Sequence, residues 1–285
     1  MTDNSTVTEP KTSLDTSLEN GRFAKRFAEL KTSGQKGFIP FSLLGWPDKS
    51  QSFELIRSMV KSGATALELG FPFSDPLADG PVLQQAAVEA LEKDFKVSDA
   101  LDVIAQVRAL DAELPIGLMV YYNMIMARGI DGFFKAVSDV GVDGVLIVDL
   151  PAELAEEVAQ SAQKHQVDLI FIVSPLTSDE RLAQILKYAS GYLYIVARLG
   201  VTGVDNTEDS ELAQLIQRVQ GQTDLPLYVG FGISSPEDAQ RVFAYGADGA
   251  ITGSKIIQLA SESKTMGYQE VSRFIEQMIN VTQVK

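Results

Sequence analysis

GVLIVDLPAELAEEVAQSAQKHQVDLIFIVSP (144–175) sets two short, nearly all-apolar runs, 144–151 and 168–175, on either side of a stretch of helical composition. A strand that is apolar at successive positions has both faces buried, as in a parallel sheet covered by helices. Outward from this unit the pattern repeats. GFIPFSLLG (37–45), TALELG (65–70) and PIGLMVYYN (115–123) precede it, and GYLYIVA (191–197), PLYVGFGI (226–233) and GAITGS (249–254) follow. The segments between carry helical stripes: Ile130, Phe133, Phe134 and Val137; Leu212, Leu215, Ile216 and Val219; Val271, Phe274, Ile275 and Met278. Eight strand–helix alternations without a linker predict an α/β fold, a single (β/α)8 TIM barrel over 22–285. Phe23, Phe27 and Leu30 predict an extra N-terminal helix that covers the bottom of the barrel.

Composition narrows the chemistry. The 285 residues include no cysteine and one histidine, so disulfides and thiolate metal sites are excluded and a histidine-built metal centre is not expected. His165 falls at the far end of its helix, away from the strand ends where barrel chemistry sits, and reads as surface. A net charge of −14 opposes a nucleic-acid or anionic-membrane surface, and no apolar run is long enough for a membrane span. An anionic small molecule is still allowed, because backbone N–H groups at a helix start can hold one phosphate. Residues 1–21 are polar, with neither the apolar core of a secretory signal nor the basic bias of a transit peptide. They read as a flexible extension, and a cytoplasmic location is expected.

In such a barrel the catalytic groups stand where strands end. Glu68 in TALELG shares its face with Ala66 and Gly70, small neighbours that leave room for a ligand. Burial raises a carboxyl's pKa, which suits a group that takes up and returns a proton near neutrality. The alternative is a structural glutamate bonded to a neighbouring hydroxyl. The loop FPFSDPLADGP (71–81) adds Asp75 and Asp79, either of which could simply cap a turn. GFGISSPED (230–238) and TGSK (252–255) follow strands 7 and 8, where barrels often hold phosphate. Gly230 and Gly232 would let the backbone approach an anion, Ser235, Pro236 and Asp238 form a helix start, and Gly253 and Ser254 repeat the arrangement. The alternative is tight turns without a ligand. ARLGVTG (197–203) is a long loop suited to closing over a phosphate, and Tyr194 stands just before it. No strand segment contains the lysine that a Schiff-base aldolase would need; Lys255 sits where a helix begins.

LELG followed by PFSDPLADGP, then GVTG (200–203), GFGIS (230–234) and the GS of strand 8, resembles the tryptophan synthase alpha subunit from about residue 22 onward. The resemblance implies retro-aldol cleavage of indole-3-glycerol phosphate to indole and glyceraldehyde 3-phosphate. It implies no cofactor in this chain, and a beta subunit that carries pyridoxal phosphate, takes up the indole and completes an alpha2beta2 tetramer. By the same resemblance Glu68 is the acid–base group and Asp79 accepts from the indole N–H. Tyr194 lines the site, Thr202 helps to close it, and Gly203, Gly232, Gly253 and Ser254 hold the phosphate. Phe41, Met119, Tyr121 and Ile172 form the indole slot. Pro72 and Asp75, ahead of Asp79, are expected to face outward to the partner, with the segment around Asn123. Trp46 stands where the family more often has Asp or Tyr before Pro, and Ala197 and Leu199 flank Arg198 where it more often writes SRAG. Three rivals stand beside this reading: another phosphate-binding barrel such as indoleglycerol-phosphate synthase, a stand-alone lyase releasing free indole, and a non-catalytic barrel kept as a binding partner.

Overall fold

The computed structural model describes residues 20–76, 79–196, 206–263 and 267–283. Eight parallel strands close in sequence order: β1 (Gly37–Leu43), β2 (Leu67–Gly70), β3 (Ile116–Val120), β4 (Gly144–Ile147), β5 (Asp168–Val173), β6 (Leu193–Ile195), β7 (Leu227–Val229) and β8 (Gly249–Thr252). The β1–β8 pair, with Ile39 opposite Ile251, completes the ring. Each stripe read from the sequence lies on a helix: Ile130–Asp139, Asn206–Gln220 and Gln269–Thr282. Phe133, Phe134 and Val137 of the first are buried against the barrel, as are Val271, Phe274, Ile275 and Met278 of the last.

Inside the barrel a second apolar layer runs from Ile39, Ala66, Leu146, Ile170 and Ile251 down to Tyr192 and Tyr228. The N-terminal helix Arg22–Ser33 closes this end with Phe23 and Phe27, both buried. Their rings meet Tyr192 at 5.5 and 6.0 Å, and Phe27 meets Tyr228 at 5.0 Å. An ion cluster pins the helix in place. Arg22 and Arg108 each donate to buried Asp143 at 2.7 Å, and the Ile116 N–H donates to the same carboxyl at 2.8 Å. A buried charge is tolerated only when so satisfied.

Glycine at two strand starts makes this packing possible. A Cβ on Gly249 would lie 2.0 Å from Tyr228 Cε1, and one on Gly37 2.0 Å from Tyr228 Oη. Gly249→Ala is therefore expected to destabilise the fold by about 1–3 kcal/mol through overpacking. Adding Tyr228→Leu should recover part of that loss, because the two sites share one space. Urea denaturation of the single and double variants measures both; strictly additive losses would rule the clash out.

Candidate active site

Glu68 sits at the centre of β2, in register with Phe41 of β1 and Gly117 of β3. Its side chain is 1% exposed. Oε1 accepts a 3.0 Å hydrogen bond from the Tyr192 hydroxyl, while Oε2 is buried without a partner. Burial pushes the carboxyl up to about 8; the Tyr192 bond opposes that rise and the charge of Asp79 adds to it. Glu68 is thus bonded to a neighbouring hydroxyl, and one of its oxygens is left with nothing to do in this arrangement. A half-satisfied buried carboxyl is costly, and such groups cluster at functional sites. Sequence reasoning does not single out Tyr192, although period-two alternation puts it on the same face as Tyr194.

Asp79 follows the loop after β2 and closely precedes the helix Pro81–Leu91. Its N–H donates to the Pro76 carbonyl at 3.0 Å, and Gln84 Nε2 holds the Asp79 carbonyl at 2.9 Å. Partial burial pushes its carboxyl up to about 6. Gly80 caps the helix and Pro81 starts it, so the carboxylate stands at a helix N-terminus, where negative charge is favoured.

A cavity of about 600 Å³ opens at the strand C-termini. Asp79 lines it together with apolar Phe41, Met119, Ile172 and Tyr194 and with Gly232, Ser234, Gly253, Ser254 and Lys255. Six hundred cubic ångströms is within the usual range for a small-molecule site. Glu68 lies beneath this cavity, turned to Tyr192, and is not among the lining residues. Tyr121 also stays out of the lining; its ring stacks on Phe73 at 4.6 Å and 19°, bracing the loop that leads to Asp79. Of the two residues expected to face outward, Asp75 is exposed, while Pro72, next to buried Phe71 at the end of β2, is itself buried. Thr202 and Gly203 lie outside the described residues, as do Ala197 and Leu199.

The glycines divide into two kinds. The space above Gly70, expected to admit a ligand, is filled by Phe41, whose Cζ would lie 2.6 Å from a Cβ there. The space at Gly230 is filled by Tyr194, whose Cζ would lie 2.0 Å from a Cβ and whose hydroxyl donates to the Gly230 carbonyl at 2.8 Å. Gly230 thus makes room for a ring rather than for an anion. Gly230 and Gly232 both line the cavity, but Gly232 differs in its backbone, with φ +77°, a conformation that L side chains rarely adopt. Just beyond it Ser235 caps the helix Pro236–Ala244, its side chain accepting from the Asp238 N–H. Gly253 and Ser254 lead into the helix Ser254–Ser263. His165 lies at the C-cap of Glu156–Lys164, bonded to Asp131 at 2.9 Å, far from the cavity. Trp46 is buried, its indole N–H donating to Glu89 at 2.8 Å.

A cavity at the strand C-termini, lined by Asp79, apolar side chains and the glycines after β7 and β8, with Glu68 buried nearby on β2, is the arrangement of a (β/α)8 enzyme. The family model for the tryptophan synthase alpha chain matches residues 27–284. The chain is 40% identical over 260 residues to a tryptophan synthase alpha chain of Francisella tularensis, covering 90% of this chain and 97% of that one. It is 42% identical over 243 residues to the alpha chain of Methanoregula boonei, covering 85% and 90%. The crystal structure of tryptophan synthase subunit alpha from Legionella pneumophila superposes with a TM-score of 0.84 at 37% identity, covering 92% of this chain and 98% of that one. This chain belongs to the tryptophan synthase alpha chain family. It is a carbon–carbon lyase of tryptophan biosynthesis, and the family's reaction is the cleavage of indole-3-glycerol phosphate to indole and glyceraldehyde 3-phosphate.

Proposed function

We propose that Glu68 and Asp79 divide the chemistry of this cleavage between them, with no cofactor in this chain. The observation that carries the reading is the placing of two carboxyls at one barrel end, Glu68 buried with Oε2 unpartnered and Asp79 lining the cavity, both held above the ordinary carboxyl range by burial. At neutrality Glu68 holds a proton and Asp79 does not. Glu68 turns from Tyr192 into the cavity and gives its proton to indole C3. The positive charge that develops on the ring nitrogen is stabilised by the Asp79 carboxylate, which accepts the ring N–H. Glu68, now a carboxylate, takes the proton from the hydroxyl on the carbon joined to C3. The carbon–carbon bond breaks, its electrons return to the indole ring, and the aldehyde forms. Glu68 ends as it began. Phe41, Met119 and Ile172 flank the ring, Gly232, Gly253 and Ser254 hold the phosphate, and holding that unreactive end makes the step intramolecular in effect. Thr202 and Gly203 belong to this proposal by resemblance alone.

The family's partner is a beta subunit, and we assign its docking to the same end of the barrel, within an alpha2beta2 tetramer in the cytoplasm. Met126, Leu154 and Leu176, on the segments after β3, β4 and β5, are 51%, 65% and 94% exposed, an apolar strip that a partner would cover. Exposed Asp75 and the Phe73–Tyr121 stack tie this strip to the loop that leads to Asp79. Among the described residues no helix is long and apolar enough to cross a membrane. The test is indole formation from indole-3-glycerol phosphate, alone and with a cognate beta subunit. The partner should raise wild-type turnover about tenfold or more, and that of Asp75→Ala much less. Equal, high activity with and without partner favours the stand-alone lyase, and none in either case favours the non-catalytic barrel.

A further inference from the structure

Among the described residues lining the cavity, two are charged: Asp79 and Lys255. Lys255 is the second residue of the helix Ser254–Ser263. A cation in a first helical turn opposes the helix dipole, and this turn holds no acidic residue to offset it. The chain solves the same problem elsewhere with carboxylates. Lys49, which opens the helix Lys49–Lys61, is held by Asp99 at 2.7 Å and Asp102 at 3.1 Å. Among the described residues Lys255 has no ion-pair or hydrogen-bond partner, in a chain with 38 acids to 24 bases. A local rule broken without compensation inside a cavity marks a group kept for something that arrives.

We propose that Lys255 is a direct electrostatic contact of the substrate phosphate and sets this enzyme's preference for a dianionic phosphomonoester. It rests on reading Gly232, Gly253 and Ser254 as the phosphate corner. Backbone N–H groups there would fix the position of the anion, and the ammonium would select its charge, since lysine acts on phosphate as a flexible point charge. An incoming dianion relieves the half-buried, unpaired cation and the helix start together. Product phosphate esters and inorganic phosphate would compete for the same contact.

The experiment is calorimetric titration of wild type, Lys255→Ala, Lys255→Gln, Lys255→Arg and Gly232→Ala with glycerol 3-phosphate, at low and moderate salt. A charge-assisted contact predicts about tenfold or greater weakening in the Ala and Gln variants and near-recovery in Arg. Wild-type affinity should fall with added salt, and fall less steeply in Lys255→Ala. In the indole assay the loss should appear in KM with kcat nearly unchanged, as for an interaction made equally in ground and transition states. Affinity within about twofold of wild type in both Lys255→Ala and Lys255→Gln, while Gly232→Ala weakens binding, overturns the role of Lys255 alone. Unchanged affinity in all three overturns the phosphate corner as well.

Discussion

Glu68→Gln is expected to lower indole formation by about 10²- to 10⁴-fold while making the fold more resistant to urea at alkaline pH. The first effect follows from the proposed chemistry. The amide keeps the shape of the carboxyl and can still accept from Tyr192, but it can neither deliver a proton to indole C3 nor take one back. The second follows from burial. The folded carboxyl titrates near 8 against an ordinary value of 4.5, so between those values the folded state keeps a proton that the unfolded chain has released. Stability must then fall as pH rises through that window, and the cost is complete above about 8. The Gln variant has no such cost. The two proteins should match near pH 4 and diverge as pH rises, the variant gaining up to about 5 kcal/mol by about pH 9, at about 1.4 kcal/mol for each unit between the two values. Urea titrations at about pH 5, 7 and 9, beside turnover measurements, test both. Retention of more than about a tenth of wild-type turnover would sink the acid–base assignment. Parallel pH–stability curves would mean that Glu68 is not held protonated in the fold.

That pairing of activity with instability explains why parts of this enzyme can be read from residues in order and parts cannot. Strands such as GVLIVDLP declare themselves because burial on both faces leaves no polar alternation, and helices because Phe133, Phe134 and Val137 recur at the helical period. Glu68 stands out for the opposite reason, as one carboxylate among apolar neighbours. What stops the hydrogen bond from Tyr192 from being foreseen is distance along the chain: it and Glu68 are 124 residues apart and meet only when the barrel closes. The glycines fail for a different reason. A missing Cβ reads the same whether a ligand or a neighbouring ring takes the space, so Gly70 and Gly230 cannot be told from Gly232 without knowing where Phe41 and Tyr194 lie. Lys255 sits at a helix start where position alone argues for nothing, and only the cavity beside it and the lack of a carboxylate partner among the described residues give it meaning.

Asp79→Asn is the second large effect, expected to cost about 10²- to 10³-fold in turnover, the usual range for losing one preorganised electrostatic partner of the transition state. Its distinguishing mark is in the pH profile. Wild-type kcat/KM should be bell-shaped. Activity is lost as pH falls below about 6, where Asp79 takes up a proton and can no longer accept from the indole N–H. It is lost again as pH rises above about 8, where Glu68 has released the proton it must give to C3. The amide in the variant cannot ionise, so Asp79's share of the acid limb should vanish, leaving only the fall caused by conversion of the substrate to its less favoured monoanion, while the alkaline limb survives at reduced height. That limb should also shift to lower pH, because the Asp79 charge is one of the influences holding the proton on Glu68. Steady-state indole release between about pH 5 and 9.5 measures the two profiles. An acid limb that persists unchanged in Asp79→Asn would assign that titration to another group, the substrate's own phosphate being the first to check, since phosphate monoesters lose their second proton near about pH 6. Binding of glycerol 3-phosphate over the same range separates the two, because the ligand's ionisation would alter its affinity for both proteins alike, whereas ionisation of Asp79 would alter turnover in the wild type alone.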